Sequence, residues 1–388
     1  MNLIKRYVVP ATAIFLALLI GLYISESFMA VYKYQFNNQK FQKIINDRVD
    51  FPETYPVSFP GDRIQSDPDF PSLGFDAIIL SGIPNVRTIY CNESGNWLTY
   101  QSDKFGFNNT NKAYDFNEKV AVFIGDSFTH GACSQKGDGI VDIYSSNGYA
   151  ALNFGMGGTG PLAQYAILKE FTASIKQRTS QVVWLFYEGN DLVVDMGSEE
   201  GYLQKYLDAS FSQEYVSRFN KIASAQREFI EEKMLARGFI RTELIRDVLT
   251  LKNIRGVINA NFRQDKYGKG IAGWQRKNFE LAKPAYYKTL VNVKNFAGRT
   301  PVKIIYLPAD IRYCGERYRE LTRLYVEQEN WVKDQALSLG IKFESASLLI
   351  NETNYSDLYY YNSCSNNGKG SHFNKVGNEL IAKLIASQ

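Results

Sequence analysis

The tract Lys119-Val-Ala-Val-Phe-Ile-Gly-Asp-Ser-Phe-Thr-His-Gly131 constrains this chain more than any other. Val120–Ile124 is an unbroken apolar run, the pattern of a strand buried on both faces of a parallel sheet. It stops at Gly125-Asp126-Ser127, small and polar residues where the carboxyl end of a strand meets a loop. In open α/β sheets that edge is where ligands bind. A serine on a tight turn there exposes its hydroxyl, as a nucleophile must. The same tripeptide also reads as a plain strand–turn whose Asp or Ser caps a helix.

The pattern then recurs. Helix Gly139–Ser146, strand Tyr149–Leu152, helix Leu162–Ile175 and strand Val182–Phe186 follow in order. Strand Val302–Leu307, helix Glu316–Leu339 and strand Ile341–Phe343 come later. Such alternation predicts an α/β fold, a parallel sheet with helices on both faces. Residues from about 192 to 300 break the alternation with helices over Glu214–Arg237 and Thr242–Ile258. This helical insertion reads either as extra helices packed on the core or as a lid over the strand ends. Its basic residues, Arg255, Arg263, Lys266, Lys269, Arg276 and Lys277, are either a solvated face or a grip for an anionic or sugar substrate.

The first 28 residues read as a membrane anchor. Lys5-Arg6 precede Tyr7–Ile24, about 18 residues without a charge, the lower limit for crossing a bilayer. Basic residues before the span place the N-terminus in the cytoplasm and the rest of the chain outside, periplasmic or extracellular. A cleaved signal peptide and a buried apolar helix are the alternatives, but Ser25-Glu-Ser-Phe is a poor cleavage site. Residues 29–117 form a linker and N-terminal extension. Five of the eleven prolines fall in Phe51–Pro71, which predicts an extended path. Thr88–Cys91 and Trp97–Gln101 have the look of a hairpin. The main domain occupies 118–388.

An exterior location makes disulfides the natural reading of Cys91, Cys133, Cys314 and Cys364. Three pairings are open. Cys91–Cys133 with Cys314–Cys364 is preferred, because each bond would tether a loop beside Ser127; a free buried thiol at Cys133 is the alternative. Only two histidines occur, so a multi-His metal site is excluded, and the cysteines lack zinc-site spacing. A net charge of +4 without a basic run argues against nucleic acid. No metal or cofactor is expected.

Three further blocks follow predicted strands in order: Asn153-Phe-Gly-Met-Gly-Gly-Thr-Gly-Pro161, Tyr187-Glu-Gly-Asn-Asp191 and Gly370-Ser-His-Phe-Asn-Lys-Val-Gly377. Together with Gly125-Asp-Ser127 they resemble the SGNH (GDSL-type) hydrolase superfamily of esterases and acyltransferases. The resemblance covers roughly Val120–Asp191 and Val302–Leu384. It implies a flavodoxin-like three-layer α/β/α sandwich. It also implies Ser127 as nucleophile, His372 as base, and an oxyanion hole from the Ser127 amide, the Gly158 amide and the Asn190 side chain, with Gly157 the neighbour confusable with Gly158. His130, three residues beyond Ser127, is assigned to substrate contact or structure, since its ring would point along the turn.

Two positions depart from the family pattern. Lys369 stands where an Asp normally orients the histidine, and Glu188 stands where a Gly is usual. The acid partner of His372 is therefore Asp357, Glu344 or a backbone carbonyl, or else the site is a Ser–His dyad. The resemblance implies a serine ester hydrolase acting outside the cytoplasm on acyl esters of carbohydrate or lipid. Transfer of the acyl group to a surface or exported polysaccharide is the first alternative. A non-catalytic carbohydrate-binding scaffold, suggested by the missing Asp, is the second.

Overall fold

The computed structural model describes residues 2–57, 77–115, 118–195, 199, 201–237, 241–263, 267–351, 354–361, 364 and 371–387. Two compact units divide it: Met1–Val49 with Phe229–Tyr267, and Asp50–Glu228 with Gly268–Gln388.

The larger unit is built on two sheets. Strands β1 (Thr54–Pro56), β2 (Arg87–Ile89) and β3 (Thr99–Gln101) form a small one, with β1 parallel and β3 antiparallel to β2. The β2–β3 pairing is the expected hairpin. Of the proline-rich stretch, β1 takes the first part, and 58–76 lie outside the described residues.

Strands β4 (Val120–Gly125), β5 (Ala151–Asn153), β6 (Thr179–Tyr187), β7 (Val302–Leu307) and β8 (Lys342–Ser345) form the main sheet, and every neighbouring pair is parallel. All six residues of β4 and of β7 are buried, the state that their unbroken apolar runs require. β5 starts later than its apolar run, because Tyr149 stays 44% exposed and stacks on Tyr144.

Alternate side chains of β6 separate the layers. Trp184 and Phe186 pack on Tyr286 of the helix Tyr267–Ala297, at ring distances of 6.1 and 5.4 Å. Tyr286 in turn meets Trp331 of the helix Arg319–Ser338. The Trp184 indole N–H donates to Gln164 of the helix Pro161–Thr172. Phe123 of β4 points the other way, onto Tyr144 of the helix Ile140–Ser146, against which the C-terminal helix Lys375–Ala386 packs. The result is a three-layer α/β/α sandwich.

The strand order is β5-β4-β6-β7-β8. Counted from β4, it is the 2-1-3-4-5 order of flavodoxin-like sheets, whose ligands bind where the winding reverses, beside the first and third strands. Here that point lies at the carboxyl ends of β4 and β6.

In the smaller unit α1 (Asn2–Asp47) is one continuous helix. Its stretch Ala11–Tyr32, of mean hydropathy 2.1, is long and apolar enough to cross a membrane. The expected insertion is divided between the units. Helix Thr242–Ile258 is two helices, Arg241–Leu249 and Lys252–Arg263, separated at Leu251, whose φ is 51°. Both belong with α1. From Gly268 onward the tract packs on the sheet face through Tyr286, as an additional core helix and not as a lid.

Candidate active site

β4 delivers Gly125-Asp126-Ser127 to the switch point, and Ser127 opens a one-turn helix ending at His130. The Asp126 carboxylate caps that turn by accepting from the Phe128 amide at 2.9 Å. Burial pushes the Asp126 carboxyl above its ordinary range, against the opposing Phe128 bond. Ser127 itself is half-buried.

His372 comes from the other end of the chain. A single antiparallel bridge between Tyr359 and Phe373 holds its backbone, and its carbonyl accepts from the Tyr360 amide at 3.1 Å. Asn374 then caps the last helix, accepting from Val376 and Gly377. The ring packs on Phe128, with centroids 5.0 Å apart. Its Nε2 lies 2.8 Å from Ser127 Oγ.

The third member was not foreseen. Glu93 Oε1 lies 2.9 Å from His372 Nδ1. Its Oε2 accepts from the His372 amide at 2.9 Å and from the Ser371 hydroxyl at 3.3 Å. Burial alone would raise the Glu93 carboxyl, but the bonds and charge of His372, with Ser371, hold it below its ordinary range. An ionised Glu93 requires the proton on Nδ1, which leaves Nε2 as acceptor for the Ser127 hydroxyl. The contact from Ser127 Oγ to Asp126 Oδ2, at 3.3 Å, is the longer of its two.

Glu93 sits in the turn beyond β2, where the hairpin continues through the Leu98 N–H to Cys91 C=O bond of 2.8 Å. A disulfide joins Cys91 to Cys133, six residues past Ser127. The staple therefore carries the Glu93 turn to the loop that follows Ser127. Cys314 is bonded to Cys364, which ties the loop after β7 to the segment preceding His372. Both preferred pairings are present.

Neither expected acid reaches His372. Asp357 is exposed, its carboxylate accepts from the Ser356 hydroxyl at 3.5 Å, and its carbonyl accepts from the Asn374 side chain. Glu344 is held by Lys303 at 3.1 Å. Asp357 thus stays within its own turn, and Glu344 of β8 is turned to Lys303 on the neighbouring strand β7. Lys369 lies outside the described residues.

The glycine segment after β5 is pinned to the Ser127 turn. Asn153 donates to the Thr129 carbonyl and accepts from the Gly155 amide. A Cβ at Gly155 would lie 2.4 Å from the His130 nitrogen, so only glycine permits the approach. The Met156 amide donates to the Gly125 carbonyl at 3.1 Å. His130 is wholly buried and structural: Nδ1 accepts from the Gly157 amide at 3.2 Å, and Nε2 meets the Tyr100 hydroxyl at 2.7 Å. This separates the two glycine amides. Gly157 is spent on His130, whereas Gly158 is exposed at φ 72° and its amide has no acceptor among the described residues.

Asn190 occupies the turn after β6 and is half-buried. Asp191 braces that turn by accepting from the Tyr187 amide at 2.8 Å. Glu188, the unusual residue of this block, is wholly buried and faces away into β7's loop. It accepts from the Ala309 amide at 2.8 Å and pairs with Arg312, which also holds Glu329. Burial raises its carboxyl to about 7, with Arg312 opposing the rise.

Glu93, Cys133 and His372 each offer a donor atom within 4.8 Å of the others, a set that could hold a metal ion. The Cys133 sulfur, however, is committed to Cys91 and supplies no thiolate. The arrangement suits proton transfer instead. Neither protein-family models nor curated proteins give a match to this chain.

Proposed function

We propose that the protein is a serine ester hydrolase of SGNH type, held at a membrane by α1 with its larger unit on the oxidising side. The observation that carries the reading is the relay Ser127–His372–Glu93, with bonds of 2.8 and 2.9 Å. Ser127 Oγ attacks the acyl carbon as its proton passes to His372 Nε2, and Glu93 stabilises the imidazolium that forms. The carbonyl oxygen becomes an oxyanion, held by the Ser127 and Gly158 amides and the Asn190 side chain. When the intermediate collapses, the ester bond breaks and the leaving alcohol takes the proton from Nε2. Water then attacks the acyl-enzyme, with Nε2 as base, and releases the acid.

The apolar span and the two disulfides favour an anchored exterior enzyme. Acyl esters of carbohydrate or lipid are the substrates within its reach. A polysaccharide hydroxyl replacing water in the second half would make the same site an O-acyltransferase. The scaffold reading loses its motive, because an acid for His372 is present in Glu93.

The test is turnover of p-nitrophenyl acetate together with labelling by a fluorophosphonate probe. Both should vanish in Ser127→Ala. Turnover that persists in a folded Ser127→Ala protein would remove the assignment.

A further inference from the structure

We propose that the helices Arg241–Leu249 and Lys252–Arg263 form a second membrane contact, lying in the headgroup–acyl boundary of the bilayer that α1 crosses. The proposal rests on reading α1 as an anchor and goes beyond it. Glu26 is the residue that points to it. It lies inside the apolar span Ala11–Tyr32, yet its side chain is wholly buried. Oε1 accepts from the Asn253 amide at 2.9 Å and from its side chain at 2.8 Å, and Oε2 accepts from the Ile254 amide at 2.8 Å. A carboxylate within a membrane span is costly unless paired. Here it is met by the first turn of the second helix, whose amides and dipole favour negative charge.

This tie sets a depth. Glu26 precedes the end of the span, Tyr32, by six residues. At about 1.5 Å per residue it lies roughly 9 Å inside that end. Amphipathic helices at a bilayer surface seat their apolar faces at about 5–10 Å. The surface around the tie is apolar as well. Phe28 and Tyr32 of α1 are 75% and 72% exposed, and Ile245, Leu249 and Val257 of the two helices are 56%, 66% and 51% exposed. On the second helix Lys252, whose ammonium pairs with Asp247 at 2.9 Å, and Arg255 are exposed, the basic residues that phosphate headgroups would meet. The exposed apolar residues of the helix pair thus belong to the same unit as the span itself.

Because all four cysteines are disulfide-bonded, an engineered thiol can be labelled alone. The full chain, reconstituted in phosphatidylethanolamine–phosphatidylglycerol vesicles, is labelled with an environment-sensitive nitrobenzoxadiazole at Leu249→Cys or Val257→Cys. Leu18→Cys, within the span, and the exposed Leu348→Cys serve as references. At Leu249→Cys and Val257→Cys, emission should shift to the blue, with quenching several-fold stronger by nitroxide-bearing lipid than by aqueous iodide. If Leu18→Cys is quenched by lipid while these two are quenched by iodide, the proposal fails and the anchor stands. Shielding of the two from both quenchers would mean that protein, such as a second copy, covers the face, and would also overturn it. Iodide quenching at Leu18→Cys would remove the anchor and the proposal together.

Discussion

The Glu93 carboxylate and the His372 imidazole meet at 2.9 Å across 279 residues of chain. One comes from a hairpin ahead of the parallel sheet and the other from the loop before the last helix. Glu93→Gln should therefore lower turnover of p-nitrophenyl acetate by about 10²–10⁴-fold, because the imidazolium loses its stabilising charge and its tautomer is no longer fixed. Asp357→Ala should leave turnover within about twofold, given its exposure. Glu344→Ala should act on stability instead, since it strands Lys303, whose side chain is 6% exposed. Breaking such a pair costs about 3–5 kcal/mol. Steady-state rates and urea unfolding on the three variants distinguish these outcomes.

The Cys91–Cys133 bond closes a separation of 42 residues and leaves Glu93 two residues from a covalent tether. A crosslink of that span contributes roughly 3–4 kcal/mol to stability. Cys91→Ser with Cys133→Ser should lower both the melting temperature and the turnover rate. The rate loss should largely disappear in a Glu93→Ala background, because the two changes act through one side chain. Additive losses would show that the staple acts on the rate by a route other than Glu93.

His130 connects the Ser127 turn, the glycine segment and the hairpin through Gly157 and Tyr100. His130→Ala should cost about 1–3 kcal/mol for each buried partner left unsatisfied. It should also slow turnover by displacing Gly158. The pH profile of the residual rate should keep its shape, since His130 takes no proton from Ser127. A profile that shifts would place His130 in the proton relay.

Glu188 gives a pH dependence of stability of the less common sign. Its carboxyl is raised to about 7 in the folded protein, against about 4.3 in an unfolded chain. Between those values the folded state binds the extra proton, so stability falls as pH rises through the window. Glu188→Gln keeps an acceptor for the Ala309 amide and should remove that fall. Urea unfolding between pH 5 and 7.5 measures it. Glu93 has the opposite sign. Its lowered carboxyl adds stability above the unfolded value, which is lost as pH drops through the folded one.

Much of this architecture could be read from local pattern. Val120–Gly125 and Val302–Leu307 are strands because unbroken apolar runs fit only a position covered on both faces. Ser127 and His372 stood out because each falls in a short block tied to a strand end or a helix start. Position in the sheet follows from such runs, since burial is a property that each residue carries. An anchor-length apolar run was legible for the same reason, read in the sequence as Tyr7–Ile24 where the helix carries its apolar span over Ala11–Tyr32.

Glu93 was not legible in that way. Its neighbours Asn92 and Ser94 describe an ordinary polar turn, and nothing local marks the carboxylate as the partner of a histidine. The usable signal was indirect: a bond from Cys91 to Cys133 brings whatever follows Cys91 to the turn that bears Ser127. Likewise, Glu188 looked like a defect in a motif until Arg312 and the Ala309 amide were found against it. The bond from the Asn253 amide to Glu26 is likewise marked by nothing in the neighbours of either residue. Apolar periodicity is written in neighbouring residues and survives as sequence. A charge's partner is chosen by distance in space, and only the folded chain decides which of 40 acidic residues comes within 3 Å of an imidazole.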